Sequence, residues 1–186
     1  MRHTTKAVLT ALLLSLSALV VAALALPTPG ALAQAASAAM PLAAPTGPVK
    51  LTVSGKIGVT NAGATAAFDA VMFAALPRTE FATSTIWTEG VARFSGVELR
   101  TLLDRLGVSG GTLKITAIND YSVQIPVSDI VPGGALLADQ RDGIAMTVRD
   151  KGPLWLVYNY DAAPEFRNEV VYSRSVWQVD RIEVLP

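Results

Sequence analysis

The stretch Phe94-Ser95-Gly96-Val97-Glu98-Leu99-Arg100-Thr101-Leu102-Leu103-Asp104-Arg105-Leu106-Gly107 decides how this chain folds. Its apolar side chains recur at helical spacing and fall on one face of a helix that begins after Gly96: Val97, Leu99, Leu102, Leu103 and Leu106. Charged side chains occupy the opposite face, and Gly107 can close the helix in a left-handed conformation. We therefore predict an amphipathic helix here, buried along its leucine face.

Short strands surround this helix. Alternation of polar and apolar residues predicts strands over 50–55, 113–118 and 121–125, and further strands are predicted over 135–139, 145–148, 154–158 and 177–185. Residues 79–87 are rich in Thr, Ile and aromatic residues, which suits a strand or an extended loop. A second short helix is predicted over 68–76, stopped by Pro77. The two strands that flank Asn119-Asp120 form a hairpin. Because strands outnumber helices and do not alternate with them, the predicted fold class is α+β, a single mixed-sheet domain with few short helices.

The N-terminal segment has the pattern of a secretory signal peptide. A positively charged start precedes an apolar run from Ala7 to Leu26, and Ala33 lies in a small-x-small cleavage pattern. The alternative is a retained transmembrane anchor, since the run is just long enough to span a bilayer. We expect a cleaved signal over 1–35, an Ala/Pro-rich flexible lead-in over 36–48 and one domain over 49–186, exported to the periplasm.

The chain contains no cysteine, and its one histidine, His3, falls inside the predicted signal. The exported domain therefore lacks the thiolate nucleophile, the soft metal ligands and the residue type that most often does acid–base work near neutral pH. Removing Arg2 and Lys6 from the 15 Lys and Arg leaves 13 against 15 Asp and Glu. Since the basic residues are not clustered, a nucleic-acid-binding surface is excluded. The composition favours binding over catalysis.

Four sequence pieces occur in a fixed order along the domain. They are Trp87-Thr88-Glu89-Gly90 before Phe94–Leu99, Leu102-Leu103 before Gly107, Asn119-Asp120-Tyr121 before Ile125-Pro126, and Lys151–Leu156 before Ser175–Ile182. In this order they resemble the molybdopterin-binding domain of the sulfite oxidase family, over nearly all of 49–186. The resemblance implies a mixed α+β domain that holds a pterin cofactor in a cleft.

Two positions depart from that family's pattern. The family ligates molybdenum through a cysteine that precedes the Gly-Val pair, and Ser84 occupies that place here. A serine hydroxyl does not replace a soft, negatively charged thiolate. In the family a lysine that contacts the cofactor's phosphate often precedes the tryptophan, whereas Val176 precedes Trp177 here, with Arg174 two residues earlier. We therefore expect a pterin ligand without molybdenum.

The full pattern also looks like a smaller branch of this fold, in which exported pterin-binding proteins act as ligand sensors. That resemblance implies a non-catalytic periplasmic protein that relays the state of its pterin to the periplasmic domain of an inner-membrane cyclic-di-GMP enzyme. Two alternatives stay open, a molybdopterin-dependent oxidoreductase subunit and a cofactor-free partner-binding domain.

The resemblance implies which segments line the cofactor cleft, and a pterin there requires an aromatic face for stacking and an edge of hydrogen-bond donors and acceptors. The candidate ligand-binding residues are Ser84, Thr85, Trp87 and Glu89 on the cofactor-loop segment, Asn119 and Tyr121 on the hairpin turn, and Arg174 and Trp177 near the C-terminus. Glu89 is expected to accept from the pterin amino group, and Arg174 to present its planar fork to a carbonyl or anion. Structural alternatives are a core position for Trp87, a simple turn at Asn119-Asp120 and a surface salt bridge from Arg174 to Glu169. No catalytic residue and no metal ligand is predicted.

Overall fold

The computed structural model describes residues 41–186, so the predicted signal peptide lies outside the described residues. Within them the strands are β1 (Val49–Gly55), β2 (Ala66–Asp69), β3 (Thr79–Ser84), β4 (Val91–Glu98), β5 (Thr112–Ala117), β6 (Ser122–Pro126), β7 (Ala135–Arg141), β8 (Ile144–Ala145), β9 (Trp155–Tyr158) and β10 (Val179–Leu185). The helices are α1 (Ala70–Ala74), α2 (Leu99–Arg105) and α3 (Glu169–Arg174). None of the helices over 41–186 is long and apolar enough to cross a membrane.

The strands form two sheets. The first has the order β2-β1-β10-β5-β6, and its central pair β1 and β10 is parallel while the other pairs are antiparallel. The second sheet has the order β3-β4-β7, and both β8 and β9 pair with β7. The predicted α+β class with a mixed sheet is confirmed.

The Phe94–Gly107 stretch forms a strand followed by a helix. Residues 94–98 pair with β7 before α2 begins at Leu99, so the prediction that placed Val97 on the helix was wrong. Gly96 lies where β4 approaches β7 most closely, because a Cβ built on it would lie 2.0 Å from the Leu137 carbonyl oxygen. Glycine is therefore required at position 96 of β4. The leucine face of α2, which follows this strand, is fully buried, as the sequence predicted.

Strand β7 of the second sheet is buried on both faces over most of its length. Along β7, Ala135 and Leu137 belong to the main core, which they share with α2 and the first sheet. The intervening Leu136 and Ala138 face a smaller core on the opposite side, together with Phe94 and Trp155. This alternation follows from the two-residue period of a strand. Trp87 packs against both cores, and it therefore sits at the edge of the second sheet.

Three other predicted elements are shorter than expected. The helix over 68–76 is confined to α1, because Phe68 belongs to β2 and the Asp69 side chain caps α1 by accepting from the Met72 N–H. The strand over 145–148 stops at Ala145, since Thr147 and Asp150 form a hydrogen-bonded turn. The last strand starts at Val179 rather than 177, because Gln178 has a left-handed backbone conformation.

Residues 41–48, the described part of the predicted lead-in, contain no helix or strand but contact the domain. Asp69 accepts hydrogen bonds from the backbone N–H groups of Thr46 and Gly47. Asn61 donates to the Ala43 carbonyl, and the Leu42 side chain packs against the main core. These contacts extend the packed unit to a point before β1.

Candidate functional site

A cavity of about 360 Å³ opens beside the end of the first sheet. That volume lies within the range of small-molecule sites, about 300–1,000 Å³. Its walls are mostly aromatic and small side chains: Trp87, Ala117, Asn119, Tyr121, Tyr172, Ser173, Ser175, Val176 and Trp177. Three segments supply them, namely the β3–β4 connection, the β5–β6 turn and the chain from α3 to β10.

The β3–β4 connection holds Trp87 in place through a local turn. The Thr85 hydroxyl oxygen accepts from the Trp87 N–H at 3.0 Å and lies 2.8 Å from the Thr88 hydroxyl. Such side-chain-to-backbone bonds are the usual way in which threonine stabilises a tight turn. Thr85 therefore orients the tryptophan and does not itself line the cavity.

Trp87 is the centre of an aromatic cluster. Four rings pack edge-to-face on it, with centroid distances of 5.9 Å to Trp155, 6.2 Å to Tyr160, 6.0 Å to Tyr172 and 6.0 Å to Trp177. Edge-to-face pairs of this spacing are favourable because the positive ring edge meets the negative ring face. All three tryptophans of the chain belong to this cluster. Their fluorescence therefore reports on the cavity.

The segment from α3 to β10 forms the opposite wall. The Ser175 hydroxyl donates to the Val171 carbonyl at 2.8 Å, so the Tyr160 hydroxyl, 2.6 Å away, must donate to Ser175. Burial raises the pKa of Tyr160 to about 12, which keeps this donor protonated. Trp177 follows on the same segment, and 39% of its surface stays exposed.

The hairpin turn between β5 and β6 forms the rim. Asn119 Oδ1 accepts from the Tyr121 N–H at 3.3 Å, and Asp120 has a left-handed backbone, as an Asx-type turn requires. The Asp120 carboxylate points away from the cavity and pairs with Arg181. The Tyr121 ring is 54% exposed at the mouth. The turn thus presents an amide and a phenol ring but no charge.

Four of the eight predicted site residues line the cavity: Trp87, Asn119, Tyr121 and Trp177. The other four do not. Thr85 is used in the turn that holds Trp87, and Glu89 is exposed to solvent beyond the cavity walls. Ser84 and Arg174 are both bound to carboxylates elsewhere.

Ser84 belongs to a polar cluster whose members do not line the cavity. Its backbone N–H and hydroxyl donate to Asp161 at 2.6 Å and 2.7 Å, and Arg167 pairs with the same carboxylate. The Ser84 N–H and then the Arg167 side chain lower the pKa of Asp161 to about 2. Asp161 also donates its N–H to the Thr83 hydroxyl. This cluster joins the end of β3 to the segment after β9.

Arg174 forms a salt bridge with Asp129 at 2.8 Å, so its partner is not Glu169 as the structural alternative had it. The nearby Tyr158 hydroxyl is buried and has no hydrogen-bond partner among the described residues. Burial is the main cause that raises the pKa of Tyr158. Neither Arg174 nor Tyr158 lines the cavity.

No family model and no curated protein matches this chain. Among solved structures it is similar to the sulfane dehydrogenase SoxCD from Paracoccus pantotrophus, with a TM-score of 0.54 and 18% sequence identity. The similarity covers 74% of this chain and 38% of that chain, so this protein spans well under half the length of its structural neighbour. The fold is of the sulfite oxidase type.

In this sulfite oxidase-type fold the residues present do not fit a thiolate-ligated molybdenum. Ser84, which stands where the resemblance places the cysteine ligand, supplies a hydroxyl that Asp161 already accepts. The sequence offers no cysteine as a substitute. Within residues 41–186, no group of three or more His, Cys, Asp or Glu is arranged to hold a metal ion.

Sequence reasoning missed five lining residues: Ala117, Tyr172, Ser173, Ser175 and Val176. Tyr172 and Ser173 lie on α3, a six-residue helix rich in β-branched residues, which the sequence-based prediction did not include. One usable signal was the Asn168 side chain, which caps α3 by accepting from the Val171 N–H at 3.0 Å. The other three lie next to residues that were already predicted to belong to strands or to the site.

Proposed function

We propose that this protein is a non-catalytic, exported pterin-binding protein. The observation that carries the proposal is the cavity itself, whose walls combine the Trp87 and Trp177 indoles with the Asn119 amide. A pterin is a flat polar bicycle, so it needs an aromatic surface and a few hydrogen-bonding groups along one edge. The fold type supports the same ligand class, because the family that the sequence resembles holds a pterin.

The residues of the cavity wall support a non-catalytic role. No histidine, cysteine, aspartate or glutamate is among the residues that line the cavity, and its ionisable side chains are those of Tyr121 and Tyr172. Those residue types most often transfer protons near neutral pH or ligate a redox metal. The cavity is equipped to hold a ring and to exclude water from it.

The signalling role rests on the resemblance to exported pterin sensors. In that role the protein passes the state of its pterin to the periplasmic domain of an inner-membrane cyclic-di-GMP enzyme. The exposed rings of Tyr121 and Trp177 at the cavity mouth support this role, because a partner that covers the mouth contacts both the ligand and these rings.

The binding claim is tested by calorimetric titration of the purified exported protein with tetrahydropterin and with the oxidised 2-amino-4-oxopteridine. We expect saturable binding at one site, accompanied by a change in tryptophan fluorescence. Absence of binding up to millimolar ligand would overturn the proposal.

The signalling claim is tested in cells by measuring cyclic-di-GMP after deletion of the gene. Complementation with the wild type restores the original level, and complementation with Trp87→Ala does not. Gln124→Glu, a change on the exposed β6 strand, serves as the control that restores signalling. A deletion that leaves cyclic-di-GMP unchanged contradicts this role without touching the binding claim.

The second candidate is an oxidoreductase subunit that carries molybdopterin, and the similarity to the sulfane dehydrogenase SoxCD favours it. The engagement of Ser84 with Asp161 speaks against it. Elemental analysis of the natively purified protein separates the two candidates. Stoichiometric molybdenum supports the subunit, and a metal-free pterin complex supports the sensor.

A further inference from the structure

We propose that Asn119 determines which ring the cavity accepts, by selecting ligands that present a carbonyl oxygen over ligands that present an amino group at the same position. This inference rests on the proposed pterin-binding function and specifies the chemistry of the ligand edge. The selected class is a neutral ring with a hydrogen-bond acceptor, such as a 4-oxopteridine.

The orientation of the Asn119 amide is the first step. A backbone N–H can only donate, so the Tyr121 N–H, 3.3 Å from Asn119 Oδ1, assigns the oxygen of the amide to the turn. The Nδ2 group, with its two hydrogens, is left for the cavity that Asn119 lines. The cavity therefore meets a donor at this position and not an acceptor.

The second step concerns the other polar side chains of the wall. The Ser175 hydroxyl is fully used between Tyr160 and the Val171 carbonyl. The Ser173 hydroxyl donates to the Val170 carbonyl at 2.8 Å and so faces the cavity as an acceptor. Asn119 is thus the one lining residue with a side-chain amide, and the other donors of the wall are indole N–H and phenol O–H groups, which carry one hydrogen each.

The charges around the cavity also favour a neutral ring over a cationic one. No aspartate or glutamate is among the residues that line the cavity, so nothing there neutralises a cationic ring. Behind the wall, the Lys151 ammonium lies 5.4 Å from the centre of the Trp177 ring and 5.6 Å from that of Trp155. A cation stacked on the wall disfavours a second cation inside the cavity. Amino-rich, readily protonated rings are therefore doubly disfavoured.

A matched pair of ligands tests this inference. The ligands are 2-amino-4-oxopteridine and 2,4-diaminopteridine, which differ in the group at the 4-position and in the hydrogen on the adjacent N3, and both are titrated by calorimetry into the purified exported protein. We expect the wild type to bind the 4-oxo ring at least about tenfold more tightly, since an amino group facing Asn119 Nδ2 leaves donors unpaired.

Asn119→Asp reverses the order of the two ligands. Its carboxylate still accepts from the Tyr121 N–H, which preserves the turn, but it presents an acceptor to the cavity. Asn119→Ala brings the two dissociation constants within about threefold of each other. Gln124→Glu makes the same amide-to-acid change on an exposed strand and keeps the wild-type preference.

The outcomes separate the inference from the function on which it rests. If the wild type binds both rings equally, or if Asn119→Asp keeps the 4-oxo preference, then the inference fails and the pterin-binding function stands. If neither ring binds to the wild type, both fail. A thermal melt of each variant verifies that the compared proteins are folded.

Discussion

Two polar regions of the molecule use their hydrogen-bonding groups in opposite ways. In the first, Ser84, Asp161 and Arg167 bind one another, so the Ser84 hydroxyl is already bonded within the protein. In the second, the Asn119 amide keeps two donors for a cavity walled by aromatic rings. The hydrogen bonds of the first region hold two loops together, and the Asn119 donors of the second region are available to a ligand. Ser84 is therefore part of the scaffold, and Asn119 is part of the site.

The largest effect that we predict comes from Trp87→Ala. Removal of a ring with four edge-to-face neighbours lowers the free energy of unfolding by about 3 kcal/mol and abolishes pterin binding. Urea denaturation and calorimetric titration measure the two effects. The matched control is Phe81→Ala, which removes a ring from the smaller core outside the cavity and lowers stability without loss of binding. Equal loss of binding in both variants would mean that Trp87 acts through folding alone.

Asp161→Ala tests the polar cluster of Ser84, Asp161 and Arg167. The variant loses the bonds to Ser84 and Arg167, so its melting temperature falls while its pterin affinity changes by less than about tenfold. A thermal melt and a titration of the same sample give both numbers. An affinity loss as large as that of Trp87→Ala would make the polar cluster part of the binding site.

Acid is expected to destabilise the fold through two carboxylates, Asp69 and Asp161, that lie outside the cavity lining. The Met72 and Thr46 N–H groups lower the pKa of Asp69 from 3.8 to about 2, and Asp161 has a similar value for the reasons given above. Because both carboxyls bind protons more weakly in the folded state, their contribution to stability is complete above about pH 4 and is lost as pH falls toward 2. We expect the melting temperature to drop over that interval and Asp69→Asn to flatten the drop. No aspartate or glutamate lines the cavity, so we expect Asp69→Asn to leave pterin affinity unchanged.

The smallest effect comes from Arg174→Ala. Its salt bridge to Asp129 is partly exposed, so the variant loses at most about 1 kcal/mol of stability. Pterin affinity is unchanged, because Arg174 does not line the cavity. A clear loss of affinity in this variant would restore the sequence-based prediction that its guanidinium contacts the ligand.

Much of the fold could be predicted because its signals are local. The 113–125 hairpin and the leucine face of α2 are both encoded within a few residues of contiguous sequence. Strand β4 was missed although Ala92, Phe94 and Gly96 alternate with Val91, Arg93 and Ser95. The helical pattern that follows overlaps this alternation at Val97, and pairing with Leu137 decides in favour of the strand.

The site was predictable only in part, since its walls come from distant segments. Trp87, Asn119 and Trp177 were predicted because the resemblance to the sulfite oxidase family places their segments at a cofactor cleft. The fate of Ser84 and Arg174 depends on Asp161 and Asp129, partners 77 and 45 residues away. Tertiary packing alone decides which of two equally polar side chains is bound within the protein and which faces a ligand.

The most direct test of the account is mass spectrometry of the small molecule that co-purifies with the exported protein from the periplasm, with Trp87→Phe and Trp87→Ala compared alongside. We predict a pterin without molybdenum in the wild type, retained at lower occupancy in Trp87→Phe and absent from Trp87→Ala. A molybdenum-containing cofactor in the wild type, or a pterin that persists in Trp87→Ala, would contradict the account.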